Sequence, residues 1–447
     1  MRRADMMVGR LIMDDLQNKH VTVAGLGHFG GGIAVSRWLA QAGAKVLVTD
    51  QAPAEKLADS IRQLHGLPIE FRLGEHRRDD FTQADLVVTS PAIPPTNEFL
   101  VAARGAGVPI TTEIRLFIER CPAKIIGVTG TKGKSTTTKL LSLMLAGRNK
   151  VWTGGNIGGS LLFDLPQIDA SDLVVLELSS YMLEHLRSMR WSPHVAVVNM
   201  ISVDHIEWHG SEAAYIDAKR NIVRFQSADD IAVLSDQNEE SADFENYTKA
   251  RIVKYGIGDR QPFALTIPGR HNQLNAQAAF AAASELGIPW DDAQAAIKDF
   301  SGLPHRLQLV HTTADDVRYF NDSIATIPEA AVAALESFPA RRVIQIVGGY
   351  DKHLDMSALC TALAQRAKAA MTIGALGPAL AESIRQSFES SCAIHECGEL
   401  SNAIAMARKI ASPGDIVLLS TGCASYDQFT NFQVRGEQFA SLAKGSR

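Results

Sequence analysis

The 447 residues predict an α/β fold of three domains, each a largely parallel sheet wrapped by helices. Three observations carry that expectation. Short β-branched runs alternate with helix-period runs from Val21 to Ser420. Two of the strands run directly into glycine-rich turns, at Gly25 and at Gly127. The length suits about three domains of ordinary size. With 46% hydrophobic and 21% charged residues, the composition is that of a globular chain, neither disordered nor membrane-embedded.

In the first domain, residues 1–112, the strand Val21–Gly25 enters Gly25-Leu-Gly27-His28-Phe29-Gly30, and a helix covers Ile33–Ala42. A second strand, Lys45–Asp50, ends on an acid about twenty positions after the glycines, which makes this half a Rossmann-like dinucleotide fingerprint. The glycines make the turn; which diphosphate lies on them is left open, because a fold does not fix its ligand. Further alternation follows through Leu86–Ser90, the helix Asn97–Ala106 and a strand at Pro109-Ile-Thr.

The second domain, residues 113–303, opens with the helix Glu113–Arg120 and the strand Lys124–Val128. The turn Gly130-Thr131-Lys132-Gly133 and a helix from Ser135 to Met144 come next. Strand, glycine turn, then helix is the context of a phosphate loop, so a central P-loop ATPase-like sheet is expected: backbone N–H groups and the helix N-terminus face the anion. Lys134 would reach the outer phosphates, with the Ser135 or Thr136 hydroxyl on Mg2+. The strict motif is not met, since Val128 stands where its first glycine belongs. Strands Asp172–Glu177 and Val195–Asn199 end on polar residues at the carboxyl edge, where open α/β sheets bind ligands. Glu177, Asn199 and the Asp204-His205 pair are candidate Mg2+ ligands; the plainer alternative is an N-cap or a structural hydrogen bond. The helix Glu212–Arg224 and the strand Ile231–Ser235 precede an irregular stretch to Ile267. Asn272 and Asn275 stand before an Ala-rich helix, Ala276–Leu286, which Asn272 could cap, or they could read an adenine edge.

Gly302-Leu-Pro-His-Arg306, after the helix Trp290–Phe300, reads as a hinge into the third domain, residues 304–447. Strands Arg342–Val347, Ala370–Ile373 and Asp415–Ser420 alternate with helices Asp355–Gln365, Pro378–Ser387 and Glu399–Ile410, again Rossmann-like. Polar clusters at Asn321-Asp322-Ser323, Gly348–Lys352 and Ser420–Phe429 fall at strand ends and suggest the second half of an active site.

The order Gly-Thr-Lys-Gly-Lys-Ser-Thr, Glu-Leu-Ser-Ser, Asn…Asp-His, Gly-x-His-Asn-x-x-Asn, Leu-Pro-His-Arg, Asn-Asp-Ser, Gly-Gly-x-Asp-Lys and Cys-Ala-Ser-x-Asp-Gln-Phe resembles the Mur ligases, and within them the glutamate-adding branch. The resemblance covers nearly the whole chain. It implies an ATP-dependent ligase of peptidoglycan precursor synthesis that joins glutamate to UDP-N-acetylmuramoyl-L-alanine through an acyl phosphate. By that resemblance the loop Gly130–Thr136, with Lys134 and Ser135, holds the ATP phosphates; Glu177 and His205 serve Mg2+. Asn272 and Asn275 lie near adenine, and Arg306 and Asp322 contact the nucleotide. Lys219 matches a lysine that the family carbamylates to bind a second Mg2+. Gly25, Gly27, His28, Phe29, Gly30 and Asp50 would hold the uridine diphosphate, with Asn156 and Ser179 facing the same substrate. Thr326, Lys352, Ser425 and Phe432 match glutamate-binding positions. Lys134, Glu177, His205 and Lys219 would carry the chemistry.

Two positions depart from the family. Asn-Asp-Ser-Lys-Ala-Thr-Asn reads Asn321-Asp-Ser-Ile324-Ala-Thr326-Ile327, so a charge-assisted hydrogen bond, typically ~1.5–3 kcal/mol, is missing. Glutamate is then expected to be held by other contacts, with the L isomer as the alternative substrate. Glu207 stands where the family has a second aspartate and keeps the charge. The different-class alternatives are a nicotinamide oxidoreductase on the Gly25 loop and a nucleotide switch without catalysis.

The net charge of −5 argues against nucleic acid as a partner. No apolar run approaches the ~20 residues of a spanning helix, and Met-Arg-Arg-Ala-Asp lacks a signal core, so no membrane insertion is expected. Five scattered cysteines without a Cys-x-x-Cys predict free thiols in a reducing cytoplasm, with neither disulfide framework nor zinc. A monomer is expected.

Overall fold

The computed structural model describes residues 15–27, 31–258, 261–387 and 391–445. Its strands form three sheets. The first has the order β3-β2-β1-β4-β5, built from β1 (His20–Ala24), β2 (Lys45–Asp50), β3 (Ile69–Leu73), β4 (Leu86–Thr89) and β5 (Ile110–Thr111). The second has the order β11-β10-β9-β6-β8-β7. Its strands are β6 (Lys124–Thr129), β7 (Val151–Gly155), β8 (Leu173–Glu177), β9 (Val195–Val198), β10 (Ile231–Ser235) and β11 (Arg251–Tyr255). Every pair in these two sheets is parallel.

The third sheet has the order β12-β13-β17-β14-β15-β16. It comprises β12 (Gln308–Thr312), β13 (Arg318–Asn321), β14 (Val343–Gly348), β15 (Ala369–Ile373), β16 (Ala393–Gly398) and β17 (Ile416–Leu419). Only the β12–β13 pair is antiparallel. The α/β architecture of three sheets is therefore as expected. In each sheet the strand order reverses beside a glycine-bearing strand end, at Ala24–Gly25, Thr129–Gly130 and Gly348–Gly349, which is where such sheets bind ligands.

Both faces of the central strands, such as β6, β8, β9, β14 and β17, are buried, which is why their sequences read as continuous apolar runs. In β17, Ile416 and Leu418 pack into one core cluster and Val417 and Leu419 into the other, the period-two alternation of a strand covered on both sides. The first and second sheets share a core that runs from Val21 and Trp38 through Phe117 to Leu176 and Leu234. By contact density the chain divides into two compact units: Met1–Arg260 with Asn275–Ala293, and Gln261–Leu274 with Gln294–Arg447.

Strands β3, β7, β11 and β16 lie outside the sequence expectation. All four are sheet edges. The helix expected from Ala276 begins at Arg270, so Asn272 sits inside its first turn and does not cap it. The Asn272 amide instead donates to Pro268 O at 2.6 Å.

Candidate functional site

In the first sheet, Gly25 adopts φ +88°, and a Cβ there would lie 2.9 Å from Ser90 Cβ. The Asp50 carboxylate accepts from Leu26 N at 2.8 Å, Gly27 N at 3.2 Å and Ala52 N at 2.8 Å. Asp50 thus holds the shape of the loop from below. Gly32 supplies the close packing of helix on strand, since its Cβ would meet Leu26 O at 2.3 Å. His28, Phe29 and Gly30 lie outside the described residues.

In the second sheet, β6 delivers the chain to Gly130, at φ +148°, and Gly133, at φ +88°, directly before the helix Lys134–Ala146. A Cβ at Gly130 would meet Asn199 Cβ at 2.7 Å, and one at Gly133 would meet Asn275 Oδ1 at 2.3 Å. Both glycines are required by these close approaches. The loop is tied to the neighbouring strand end by Thr131 N–H donating to Met200 O at 2.7 Å. Thr131 Oγ1 and Tyr215 OH lie 2.8 Å apart. The exposed Lys132 and half-buried Ser135 stay accessible, whereas Thr136 is buried. Lys134 Nζ folds back to Gly130 O at 2.9 Å and Thr131 O at 3.0 Å.

Three groups gather at the carboxyl edge beside this loop. Glu177 is 1% exposed, with Oε1 accepting from Asn156 Nδ2 at 2.8 Å. Its Oε2 is buried without a hydrogen-bond partner, as is Asn199 Oδ1. Buried polar atoms are rarely left unpaired, so an unsatisfied carboxylate oxygen beside a phosphate loop fits a cation site. Lys219, on the helix Glu212–Arg224, is equally buried and donates to Gly130 O at 2.8 Å. Burial, aided by the Lys134 charge, pushes the Lys219 ammonium well below the usual lysine range, against the pull of Asp204 and Glu177. Its Nζ lies 4.8 Å above the Tyr215 ring. His205 is exposed and left-handed at φ +50°, with its ring 4.9 Å from Tyr181. Ser179 caps the helix Ser180–Leu186, accepting from Met182 N at 3.2 Å. Asn275 is buried, and Thr137 Oγ1 donates to its Oδ1 at 3.4 Å.

Reasoning from sequence passed over an aromatic clamp next to His205. Trp208 Nε1 donates to Ala92 O at 2.8 Å, and His185 Nε2 lies 3.0 Å from Ile93 O. These contacts fix the segment that packs on Gly25 against the second sheet. His209 lies 3.0 Å from Ser180 Oγ, and burial pushes its imidazole down to about 4, so it is neutral near pH 7. The only available signal was the run Trp208-His209 after the Asp-His pair.

In the third sheet, the loops after β14 and β17 meet through a bridge between Tyr350 and Ala424. A small pocket there is lined by Thr326 and Lys352 together with Tyr350, Leu376, Cys423 and Ala424. Ser425 is buried one residue further on, and Phe432 opens the helix Phe432–Lys444; neither lines the pocket. Ile324 is half-buried, its N–H donating to His305 O at 3.1 Å. Asp322 accepts from Leu307 N at 3.0 Å and Ser420 Oγ at 2.7 Å, so both carboxylate oxygens are engaged within the protein. Burial pushes its carboxyl up to about 7. Arg306 is half-buried, in the bridge it makes with Leu303. Arg435, buried beneath these loops, carries no motif signature and was not foreseen.

Three family matches follow one another along the chain. They are the Mur ligase MurD-like N-terminal domain over residues 19–112, the Mur ligase middle domain over 128–264, and the Mur ligase glutamate ligase domain over 305–423. The UDP-N-acetylmuramoylalanine–D-glutamate ligase of Roseiflexus sp. (strain RS-1) is 40% identical, over 96% of this chain and 99% of the relative. The ligase of that name from Acetivibrio thermocellus is 35% identical, over 96% of each. Among solved structures, the UDP-N-acetylmuramate–alanine ligase of Thermotoga maritima shares the fold. Its TM-score is 0.61 at 21% identity, over 96% of this chain and all of that one. With near full-length identity at this level, and three matched domains in the order of the three sheets, the chain belongs to the Mur ligase family.

Proposed function

We propose that this enzyme joins glutamate to UDP-N-acetylmuramoyl-L-alanine with hydrolysis of ATP to ADP and phosphate, a step of peptidoglycan precursor synthesis. The ATP γ-phosphoryl group passes to the terminal alanine carboxylate, giving an acyl phosphate and ADP. The glutamate amine then attacks the acyl carbon, and the tetrahedral species expels phosphate as the amine loses a proton. Residues 1–112 take the uridine diphosphate, 113–303 the ATP, and 304–447 the glutamate.

The observation that carries this reading is the trio at the phosphate loop: the buried Glu177 with an unpaired oxygen, the buried Lys219, and the half-buried Lys134 beside the same carbonyl. Phosphoryl transfer between two anions needs positive charge preorganised in a dry site. Lys134 and the loop N–H groups of Gly130–Thr136 would turn to the phosphates, with Ser135, Glu177 and His205 holding Mg2+. When bound, that ion would neutralise the oxygens of the transferred group. Burial disfavours the charged form of Lys219; the neutral amine is the form that adds CO2, and the carbamate would be a further anionic ligand. Asn275, packed against the loop at Gly133, would face the nucleotide, with Asn156 and Ser179 on the sugar-nucleotide side. Thr326, Lys352, Ser425 and Phe432 receive glutamate. The five cysteines, all free thiols, suit a reducing cytoplasm.

A second reading changes only the isomer. The half-buried Ile324 removes the lysine that family members place there, which favours testing L-glutamate beside D-glutamate. Ligation assays with each isomer, ATP and the UDP-sugar–alanine decide the matter. Product from D-glutamate is expected; product from L-glutamate alone would assign the second reading, and inactivity with both would remove the ligase assignment.

A further inference from the structure

Among the described residues, Arg435 is the largest side chain buried almost completely, at 1% exposure. It lies in the helix Phe432–Lys444. Its planar fork donates Nε to Ser323 Oγ at 2.9 Å, Nη2 to Ser323 O at 2.8 Å and Nη1 to Cys423 O at 3.1 Å. All three acceptors are neutral, and among the described residues no carboxylate pairs with it. Asp427 acts on it only from a distance, its Oδ2 accepting instead from Ala375 N at 2.9 Å. Burial lowers the guanidinium to about 10, so it remains charged near pH 7.

A buried cation without a contacting counter-ion is costly, and a Met or Leu would fill the volume at less expense in solvation. Its acceptors explain what the charge does there. Ser323 and Cys423 belong to the loops that follow β13 and β17, adjacent strands of the third sheet. Thr326, three residues after Ser323, and Gly422, Cys423 and Ala424 line the pocket above. Arg435 itself does not line it.

We propose that Arg435 is a positioning residue for the incoming dicarboxylate: it clamps the Ser323 and Cys423 loops into the pocket wall and lends its unpaired positive charge to a carboxylate entering there. This rests on glutamate binding in that pocket, and it identifies a cation bonded to Ser323, the residue before Ile324, the position where the family resemblance expects a lysine.

The test compares the full-length wild type with Arg435→Gln, Arg435→Lys and Ser323→Ala, using two nucleophiles. Glutamate needs the pocket; hydroxylamine, small and uncharged, traps the acyl phosphate without it. Arg435→Gln is expected to raise the KM for glutamate by about tenfold or more. Hydroxamate formation and the KM for ATP should stay within about twofold of wild type. Arg435→Lys, which keeps the charge and loses the fork, should fall between. Should Arg435→Gln not fold, Ser323→Ala decides, with a raised KM for glutamate and unchanged hydroxamate formation expected. Equal losses with both nucleophiles, or an unchanged KM for glutamate in Ser323→Ala, overturn the inference and reduce Arg435 to a scaffold residue. A wild type that forms hydroxamate but no glutamyl product would sink the glutamate assignment itself, and this inference with it.

Discussion

Lys219 and Asp322 are each placed where the ordinary charged form is disfavoured, and each leaves a distinct trace in the pH dependence of stability. Lys219 has its folded-state value depressed by burial, so the unfolded chain binds the proton more tightly. Stability attributable to this group therefore rises with pH, from the lowered folded value up to about 10.4. Lys219→Met should abolish that segment of the slope, seen in denaturant midpoints measured across pH. The same variant should lower kcat by roughly 10²-fold or more, because it removes a charge-bearing group from the phosphoryl site. Asp322 has the opposite sign. Its carboxyl is raised to about 7, so the folded state binds the proton more tightly and stability falls as pH climbs from about 4 to 7. Above that range the effect is constant. Asp322 also pins Leu307, held left-handed at φ +40°, through its N–H. Asp322→Asn should flatten the slope between pH 4 and 7; a slope left intact would place the titration elsewhere.

The turn between β6 and the helix Lys134–Ala146 depends on backbone that only glycine adopts without strain. Gly133→Ala puts a methyl against Asn275 Oδ1 at 2.3 Å, in a left-handed conformation worth roughly 1–2 kcal/mol to a non-glycine residue. The loop must shift, so affinity for ATP, measured by calorimetry, should drop about tenfold or more, and the thermal midpoint should fall by a few degrees. The sequence made this turn legible because glycines, a lysine and a hydroxyl pair stand between a β-branched run and a helix-period run. The unforeseen strands explain the opposite case. Each lies at a sheet edge, where one side meets solvent: β3 carries Glu70 and Arg72, β11 carries Arg251 and Lys254, and β16 carries His395 and Glu396. Edge strands tolerate and favour such charges, so their apolar pattern is diluted below recognition. β7, with two glycines and a tryptophan, fails for a related reason. The Trp208 and His185 clamp, the Asp50 brace beneath Leu26 and Gly27, and Arg435 were illegible for another reason. Each acts on backbone atoms of segments distant in sequence, and no local spacing records a long-range hydrogen bond.

In the proposed reaction, three sheets that each reverse strand order at a glycine-bearing edge would divide the labour among three substrates, one to a sheet. This division predicts that damage to one loop leaves the other ligands untouched. Lys134 lies on the phosphate loop of the second sheet, folded onto Gly130 O and Thr131 O. The Gly25 loop belongs to the first sheet and is braced by Asp50, Ser90 and Gly32, none of which contacts the phosphate loop. Lys134→Ala removes the cation proposed to face the phosphates and leaves that brace whole. The variant is expected to lose the acyl-phosphate step, with kcat down by about 10³-fold or more. Its dissociation constant for UDP-N-acetylmuramoyl-L-alanine should stay within about threefold of wild type. Equilibrium binding of the sugar nucleotide, measured beside hydroxamate formation, separates the two. Loss of both together would mean that the sugar nucleotide relies on the ATP loop, and the sheets would then not act as separate binding platforms.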